Sequence, residues 1–491
     1  MARFDTLIRG GTVVDGSRAP RFDADVGLRD GRIAAIGDLA GASADAVVDA
    51  AGRIVAPGFI DSHTHDDLAL LAQGDMSFKV SQGVTTVVTG NCGISLAPLL
   101  PGTPLPSPLD LLKSRSSPRF PTLGAYFAAL EASPPAINLA ALVGHTTLRA
   151  CTMAELDRPA TPDEIAAMRA LLQQGLDDGA IGLSTGTFYP PAQAATIEEI
   201  IAVGTALTER GGLYATHMRN EGDAVMAALD ETFAIGRALE VPVIVSHHKV
   251  QREANFGRSA QTLGHIRAAM QCQCVALDAY PYTAGSTMIH TDPQMLAGKV
   301  LISSSGPHPE CAGRDLADIA AEWGVPREEA ARRLRPGTAV YFMMDEADVQ
   351  AILTFDQTMI GSDGIPVGER PHPRLWGTFP RVLGHYCRDL GLFPLETAVW
   401  KMTGLTAERY GLAGRGRIAE GAAADIVLFD AATVADRATY ADPVQPAAGI
   451  DAVWVNGGLT WANGAHRGTR AGCVLRRAPA AARYAWGPVT Q

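Results

Sequence analysis

The sequence predicts an α/β fold: a (β/α)8 barrel of the TIM type, with a small β-sandwich domain built from both chain ends and a lid insertion. Three observations support this prediction. Eight apolar, strand-like runs alternate with helical stretches, short strands punctuated by Gly and Asp occur at both ends, and one connection between strands is unusually long. Eight is the number of strands that closes such a barrel.

The two chain ends have the same sequence pattern. Residues 6–14, 24–28 and 32–36 read as short alternating strands, and similar strands return at 424–430 and 453–458. We therefore expect residues 1–56 and 411–491 to pair into one small β-domain, which leaves residues 57–410 for the barrel.

Most of the predicted barrel strands end near residues that can bind a metal or transfer a proton. In this fold the active site lies at the carboxyl ends of the strands. The eight runs end near His65, Cys92, His145, Gly186, His217, His247, Tyr280 and Asp363.

The connection from Pro281 to Met359 is far longer than a crossing helix requires. We expect residues 283–345 within it to form an inserted lid or pocket wall.

The composition excludes several classes of function. The chain has 491 residues, with 41 Lys and Arg against 52 Asp and Glu, so its formal charge is −11. An acidic chain without a basic cluster is a poor partner for nucleic acid or an anionic membrane. No apolar run is long enough for a membrane span, the first residues do not resemble a signal peptide, and the seven scattered cysteines do not suggest a disulfide framework. A cytoplasmic enzyme with a small-molecule substrate is expected, and its oligomeric state stays open.

Several strand ends offer metal ligands. His63 and His65 are two residues apart on a strand, so both imidazoles point to one face. Cys92 follows a β-branched strand, and thiolate with imidazole suits Zn²⁺. His217 ends another strand, and Asp363 lies between glycines at the last strand, where a carboxylate can hold and shuttle a proton.

One further ligand comes from the next strand along the chain, but strand parity does not decide between His247 and His248.

These motifs resemble the D-aminoacylase (N-acyl-D-amino-acid deacylase) family of the amidohydrolase superfamily along essentially the whole chain. A cysteine after the second strand, with no lysine on the fourth strand at residues 181–186, distinguishes this family from dihydroorotases and hydantoinases, which use a carboxylated lysine there. The matching segments are residues 56–67, 90–93, 216–219, 246–249 and 361–364.

The resemblance implies a tightly held zinc ion and a weaker or partly occupied second site. The tight site would use Cys92, His217 and His247. The second site would use His63, His65 and Asp363, and Asp363 would also be the catalytic general base. For His145, a carbonyl-polarising role and a structural role remain equally open.

The resemblance also implies which residues bind an N-acyl-D-amino acid. Its carboxylate would be held by Lys249, Tyr280, Ser286 and Arg374. Its side chain would contact Phe188, Met295, Tyr341 and Met344. Because this second set is apolar or aromatic, D-Met, D-Leu and D-Phe derivatives are favoured over acidic ones, although His290 or Arg252 could still reach the pocket.

Other functions remain as alternatives. They are an N-acyl-D-glutamate deacylase, a cyclic-amide hydrolase of the dihydroorotase or hydantoinase type, a deaminase, a non-catalytic homologue, and a thiol-dependent hydrolase with Cys92 as the nucleophile.

Overall fold

The computed structural model describes residues 3–112 and 118–477. Residues 478–491 of the predicted small domain lie outside this range. The strands of the described residues are β1 (Arg3–Val13), β2 (Phe22–Arg29), β3 (Arg32–Gly37), β4 (Ser43–Asp49), β5 (Ile54–Pro57), β6 (Phe59–Asp61), β7 (Val84–Thr89), β8 (Asn138–Gly144), β9 (Gly182–Gly186), β10 (Leu213–His217), β11 (Val243–Val245), β12 (Val275–Ala279), β13 (Ala284–Met288), β14 (Val300–Ser305), β15 (Gly337–Phe342), β16 (Thr358–Ile360), β17 (Ile426–Phe429), β18 (Ile450–Val455), β19 (Gly458–Ala462) and β20 (Ala465–His466).

The helices of the same residues follow most of the barrel strands. They are α1 (Ala69–Ala72), α2 (Ser77–Val80), α3 (Leu123–Ala132), α4 (His145–Thr152), α5 (Pro162–Asp178), α6 (Pro190–Gln193), α7 (Ile197–Arg210), α8 (Val225–Leu239), α9 (Ser259–Met270), α10 (Leu316–Trp323), α11 (Arg327–Leu334), α12 (Glu346–Thr354), α13 (Arg374–Arg381), α14 (Leu395–Met402) and α15 (Gly404–Tyr410). None of the described helices is long and apolar enough to cross a membrane.

The predicted barrel is confirmed. Strands β6 to β12 and then β16 form one parallel sheet in chain order. The last strand meets the first through Ser62 N to Ile360 O at 3.3 Å and Asp363 N to His63 O at 2.8 Å. These strands are fully buried, as expected when helices cover a parallel sheet from outside. Closure therefore places the loop that carries His63 against the loop that carries Asp363.

A second, nine-stranded sheet is drawn from both ends of the chain. Its order places β5 between β1 and β17, so residues 54–57 pair with residues 426–429. Strand β5 continues through Gly58 into the first barrel strand. The C-terminal strands thus brace the segment that leads to His63 and His65.

The long connection folds as a separate layer. Strands β13, β15 and β14 form an antiparallel sheet in that order, and α10 and α11 pack beside it. This layer has its own apolar cluster, which includes Ile302, Leu316 and Ala339. We propose the division into 1–56, 57–410 with the lid 283–345, and 411–491 on this basis.

A buried lysine, Lys79, links the first barrel strand to the segment after the last one. Lys79 Nζ donates to Asp61 Oδ2 at 2.7 Å and to Ser362 Oγ at 2.9 Å, and it lies 3.3 Å from Asp66 Oδ2. Asp61 Oδ1 in turn accepts a hydrogen bond from Ser362 N at 2.7 Å. This network ties β6 to the residues immediately before Asp363.

Candidate metal centre

Three residues of the candidate site have a left-handed backbone. Cys92, His247 and Asp363 have φ angles of 54°, 34° and 49°. Such values are uncommon for residues other than glycine, and they concentrate at functional sites where the surrounding fold enforces them. Each residue lies a short distance beyond the end of its strand, so the backbone turns there and directs the side chain into the barrel mouth.

These side chains converge on one point. Cys92 Sγ lies 3.2 Å from His63 Nε2 and 3.3 Å from His247 Nε2. One potential ligand atom from each of His63, Cys92, His247 and Asp363 lies within 4.8 Å of the others, and all four residues are buried. His65 Nε2 lies 3.3 Å from Asp363 Oδ1.

A second, overlapping group extends from this cluster. His217, Glu221 and His247 offer ligand atoms within 4.8 Å of one another. Both ring nitrogens of the buried His217 lack a hydrogen-bond partner among the described residues. Buried polar atoms are rarely left unsatisfied, so these nitrogens fit a ligand or ion. The thiolate, imidazole and carboxylate donors match the preferences of Zn²⁺.

The charges favour ionised ligands. Burial raises the pKa of the Cys92 thiol, but the imidazoles of His63 and His247 outweigh that effect and hold it well below its usual range. Burial likewise opposes ionisation of Asp363, whereas the Arg374 guanidinium and His247 hold the pKa of its carboxyl well below normal. The cluster therefore presents a thiolate and a carboxylate.

The structure distinguishes between the two adjacent histidines. His247 Nε2 faces Cys92, whereas His248 Nε2 lies 2.9 Å from Thr262 Oγ1 on α9. His145 begins α4, and its Nε2 lies 3.2 Å from Glu199 Oε1, beside Arg149. This placement favours the structural alternative for His145.

The residues expected to hold a substrate carboxylate surround Tyr280. Arg374 lies over the Tyr280 ring at 4.6 Å and Lys249 at 5.6 Å. Arg374 also donates to the Ser286 carbonyl oxygen at 2.9 Å. Both cations already contact carboxylates of the protein: Arg374 lies 3.0 Å from Asp363 Oδ2, and Lys249 lies 2.7 Å from Glu221 Oε1.

Aromatic residues line the side of the metal centre that faces the antiparallel layer of β13 to β15. The Phe188 ring stacks on His217 at 5.1 Å and contacts His290 at 5.4 Å. His290 lies 5.8 Å from the ring of Tyr341, whose hydroxyl donates to the Met288 carbonyl at 2.9 Å.

The other two expected pocket residues occupy different places: Met295 lies near Tyr341, and Met344 lies near Tyr280. Met295 lines a cavity of about 510 Å³ together with Arg252 and part of Tyr341. Met344 lies two residues after the end of β15 and packs with Tyr280 and Tyr282, with its sulfur 3.9 Å from the Tyr280 hydroxyl. The structure therefore brings Phe188 and Tyr341 to the same wall through His290, and it places Met344 beside the expected carboxylate pocket.

Sequence reasoning missed Glu221. Its carboxylate is buried between Lys249, His217 and His247, at distances of 2.7, 3.6 and 3.1 Å. Burial raises its pKa, but these three neighbours outweigh burial and hold the pKa below its usual range. The available signal was an acidic residue four positions after a candidate histidine ligand.

Comparisons with known proteins find a matching family model and similar relatives. The model of the amidohydrolase family matches residues 46–322 and 327–460. A D-aminoacylase of Alcaligenes xylosoxydans xylosoxydans is 60% identical over 97% of this chain and 98% of its own length. An N-acyl-D-aspartate deacylase of the same organism is 50% identical over 96% of this chain and 95% of its own length.

Solved structures extend the similarity to three dimensions. Structures of D-aminoacylase, one of them concerned with its binuclear metal centre, match with a TM-score of 0.95 at 60% identity, over 96% of this chain and 100% of theirs. An N-acyl-D-glutamate deacylase from Bordetella bronchiseptica, complexed with zinc and a phosphonate inhibitor, matches with a TM-score of 0.93 at 48% identity, over 97% of this chain and 100% of its own.

Proposed function

The chain belongs to the D-aminoacylase family of amidohydrolases, and from this membership we propose that it is a zinc-dependent enzyme that hydrolyses N-acyl-D-amino acids with apolar side chains. The products are a carboxylate and a free D-amino acid. The observation that carries the proposal is the contact of Cys92 Sγ with His63 Nε2 and His247 Nε2 beside Asp363.

We assign a tight zinc ion to Cys92, His217 and His247. His63, His65 and Asp363 form a weaker second site in this proposal, which is consistent with the binuclear centre of the 60% identical D-aminoacylase. Zinc in such a site acts as a Lewis acid on a carbonyl oxygen and lowers the pKa of water to about 7.

Asp363 is the proposed general base. Its buried carboxylate accepts a proton from the attacking water and then delivers it to the amide nitrogen, so that nitrogen leaves as a neutral amine. His65, with Nε2 3.3 Å from Asp363 Oδ1, orients this carboxylate.

Lys249, Tyr280, Ser286 and Arg374 form the proposed binding site for the substrate carboxylate. The two cations lie over one tyrosine ring and provide charge-assisted hydrogen bonds of fixed direction. A carboxylate held there would present the acyl amide toward Cys92 and His247, and selectivity for the D-enantiomer would follow from that fixed geometry.

The preference for apolar side chains rests on the wall formed by Phe188 and Tyr341. The Tyr341 hydroxyl already bonds to the Met288 carbonyl and the His290 amide, which leaves mainly its ring for contact. Arg252, one of the cations that line the adjoining cavity, pairs with Asp223 at 3.2 Å and with Gln294. Because Asp223 neutralises this guanidinium and Gln294 occupies it, we expect Arg252 to bind an acidic substrate side chain only weakly.

Deacylation of N-acyl-D-glutamate or N-acyl-D-aspartate is the second candidate. Relatives named for these substrates are about half identical to this chain. Arg252 and Lys299 in the 510 Å³ cavity are the observation in its favour. An acidic substrate that displaced Asp223 from Arg252 would use this cavity.

Amine release from matched substrates tests the proposal. Zinc-loaded protein would receive N-acetyl-D-methionine, its L-enantiomer, N-acetyl-D-glutamate and dihydroorotate. We expect strong selectivity for the D-methionine derivative, loss of activity in chelator and rescue by added zinc. Preference for D-glutamate would overturn the apolar pocket, and activity on dihydroorotate alone would overturn the linear-amide reaction. Activity that survives chelation but not alkylation would indicate Cys92 as a nucleophile.

We also propose a cytoplasmic location and a small-molecule substrate as the main partner. None of the seven cysteines, all of them among the described residues, forms a disulfide, which suits a reducing compartment.

A further inference from the structure

Glu221 lies at the centre of the site and has no role in the proposed chemistry. Its Oε1 contacts Lys249 Nζ at 2.7 Å and His247 Nδ1 at 3.1 Å. Its Oε2 accepts from Gln251 Nε2 at 2.8 Å and lies 3.6 Å from His217 Nε2. One carboxylate therefore contacts two proposed zinc ligands and one proposed substrate-binding residue.

The neighbours of His247 Nδ1 compete over its proton. Lys249 Nζ lies 2.8 Å from Nδ1, and an ammonium group only donates hydrogen bonds. If Lys249 donated to Nδ1, the ring proton would sit on Nε2, the atom that faces Cys92. A proton on Nε2 prevents that nitrogen from ligating a metal, because the metal needs its lone pair.

Glu221 offers a second partner to both groups. Its Oε1 accepts from Lys249 Nζ at 2.7 Å and lies 3.1 Å from His247 Nδ1, within reach of a proton on that nitrogen; a ring proton held on Nδ1 leaves the Nε2 lone pair facing Cys92. The hydrogen bond from Lys249 Nζ to Glu221 Oε1 also keeps the ammonium between Glu221 and the Tyr280 ring. Both effects require a strong acceptor at this position.

We propose that Glu221 is a positioning residue that fixes the metal-binding tautomer of His247 and orients Lys249 toward the substrate carboxylate. The inference rests on the proposed function, since it assumes zinc at His247 and a substrate carboxylate at Lys249. It adds a residue that acts on both ends of the site through one carboxylate.

Zinc retention gives the first test. The zinc-containing protein and its Glu221→Gln variant would be titrated with a chelator and desalted, and the remaining zinc measured. An amide oxygen is a weaker acceptor than a carboxylate oxygen, so we expect retention to weaken 10- to 100-fold, as is typical for residues that orient a ligand. Retention equal to that of the wild type would overturn the tautomer assignment.

The double variant Glu221→Gln with Lys249→Met gives the sharper test. Methionine cannot donate to His247 Nδ1, so the competitor that moves the ring proton is absent. We expect this second change to restore most of the lost zinc retention. A merely structural role for Glu221 predicts a further loss instead, and that result would contradict the proposal.

Substrate kinetics test the proposed effect of Glu221 on Lys249. With zinc in excess, Glu221→Gln should raise KM for N-acetyl-D-methionine more than it lowers kcat, because Lys249 loses its orienting partner. In the Lys249→Met background, the Glu221 change should raise KM no further, since interacting residues are not additive. Additive effects on KM would contradict coupling through Lys249.

Glu231→Gln is the matched control. Glu231 pairs with Arg219 at 2.8 Å and so anchors the same loop after β10 without contacting the site. We expect unchanged zinc retention in this control, and a loss as large as that of Glu221→Gln would reassign the effect to loop anchoring. Failure of the proposed function looks different, because wild-type protein would then retain no zinc or would not hydrolyse the substrate.

Discussion

Arg374 Nη1 lies 3.0 Å from Asp363 Oδ2, so the residue proposed to bind the substrate carboxylate contacts the residue proposed to transfer the proton. Both side chains are nearly inaccessible to solvent, and α13 supplies the guanidinium from its first residue. In the proposed mechanism, this ion pair sets the distance between the group that binds the substrate carboxylate and the group that transfers the proton. A substrate of different length would reach Arg374 but misplace its amide relative to Asp363.

Replacement of Asp363 should separate catalysis from metal binding. Asp363→Asn keeps the shape of the side chain but removes its ability to accept a proton. We expect turnover of N-acetyl-D-methionine to fall by about 100- to 10,000-fold, the usual contribution of a general base, while zinc on Cys92, His217 and His247 stays bound. Steady-state kinetics and metal analysis of the same sample measure both effects, and near-normal turnover would exclude Asp363 from proton transfer.

Replacement of Cys92 should instead empty the tight site. Cys92→Ala removes the thiolate that lies between His63 and His247. We expect less than one zinc ion per chain after dialysis. Cys311→Ala is the matched control, because Cys311 is also buried and free but belongs to the separate apolar cluster that includes Ile302 and Leu316. Full zinc content in Cys92→Ala protein would refute the ligand assignment.

Removal of Lys79 should weaken the fold rather than the chemistry. Lys79→Met leaves the buried carboxylates of Asp61 and Asp66 without their cation. Breaking a buried ion pair on one side typically costs about 3–5 kcal/mol of the free energy of unfolding. Denaturant unfolding measures this loss. Lys299→Met, which removes an exposed lysine over Phe342, should cost less than about 1 kcal/mol, and equal losses in both variants would contradict the assigned role.

The buried Lys401 should make stability depend on pH. Burial lowers its pKa from 10.5 to about 7 in the folded chain. Between these values the unfolded state binds more protons, so the free energy of unfolding rises with pH, by at most about 1.4 kcal/mol per unit. Below pH 7 both states are protonated and this contribution is flat.

Lys401→Met tests that pH dependence. Melting temperatures of wild type and variant would be compared at pH 7, 8 and 9. We expect the difference to shift in favour of the wild type as pH rises, because only the wild type regains the cost of the buried charge. A difference that does not change with pH would show that Lys401 keeps its proton in the folded chain.

The barrel was predictable because its signal is local. Each strand is a short apolar or β-branched run, and Cys92, His217 and Asp363 lie at the end of such a run or three residues beyond it. In a parallel barrel, all such ends meet at one mouth. A local pattern therefore indicated a shared location for residues that are far apart in sequence.

The choice between His247 and His248 was not predictable from the same pattern. Strand β11 ends at Val245, and His247 has a φ angle of 34°, so the alternation of a strand no longer applies. The side chain direction depends on how the turn packs against Asp278, whose Oδ1 accepts from His247 N at 2.9 Å. The contact between His247 and Asp278 joins two strands, and no local sequence pattern around either residue indicates it.

Glu221 illustrates a second limit. It follows the end of β10 by four residues in an irregular loop, and its partner Lys249 is in the loop after the next strand. No periodic pattern relates the two positions. The Glu221 carboxylate reaches His217 and His247 only because of how the two loops fold.

The pairing of β5 with β17 also has a consequence for biosynthesis. Ile54 pairs with Phe429, so one edge of the strand that leads to His63 stays open until nearly the whole chain has been translated. At about 5–20 residues per second, the ribosome needs roughly 20 to 75 s to supply the partner strand. During that interval the nascent chain exposes an unpaired apolar edge, so we expect chains truncated before residue 426 to aggregate and to depend on chaperones.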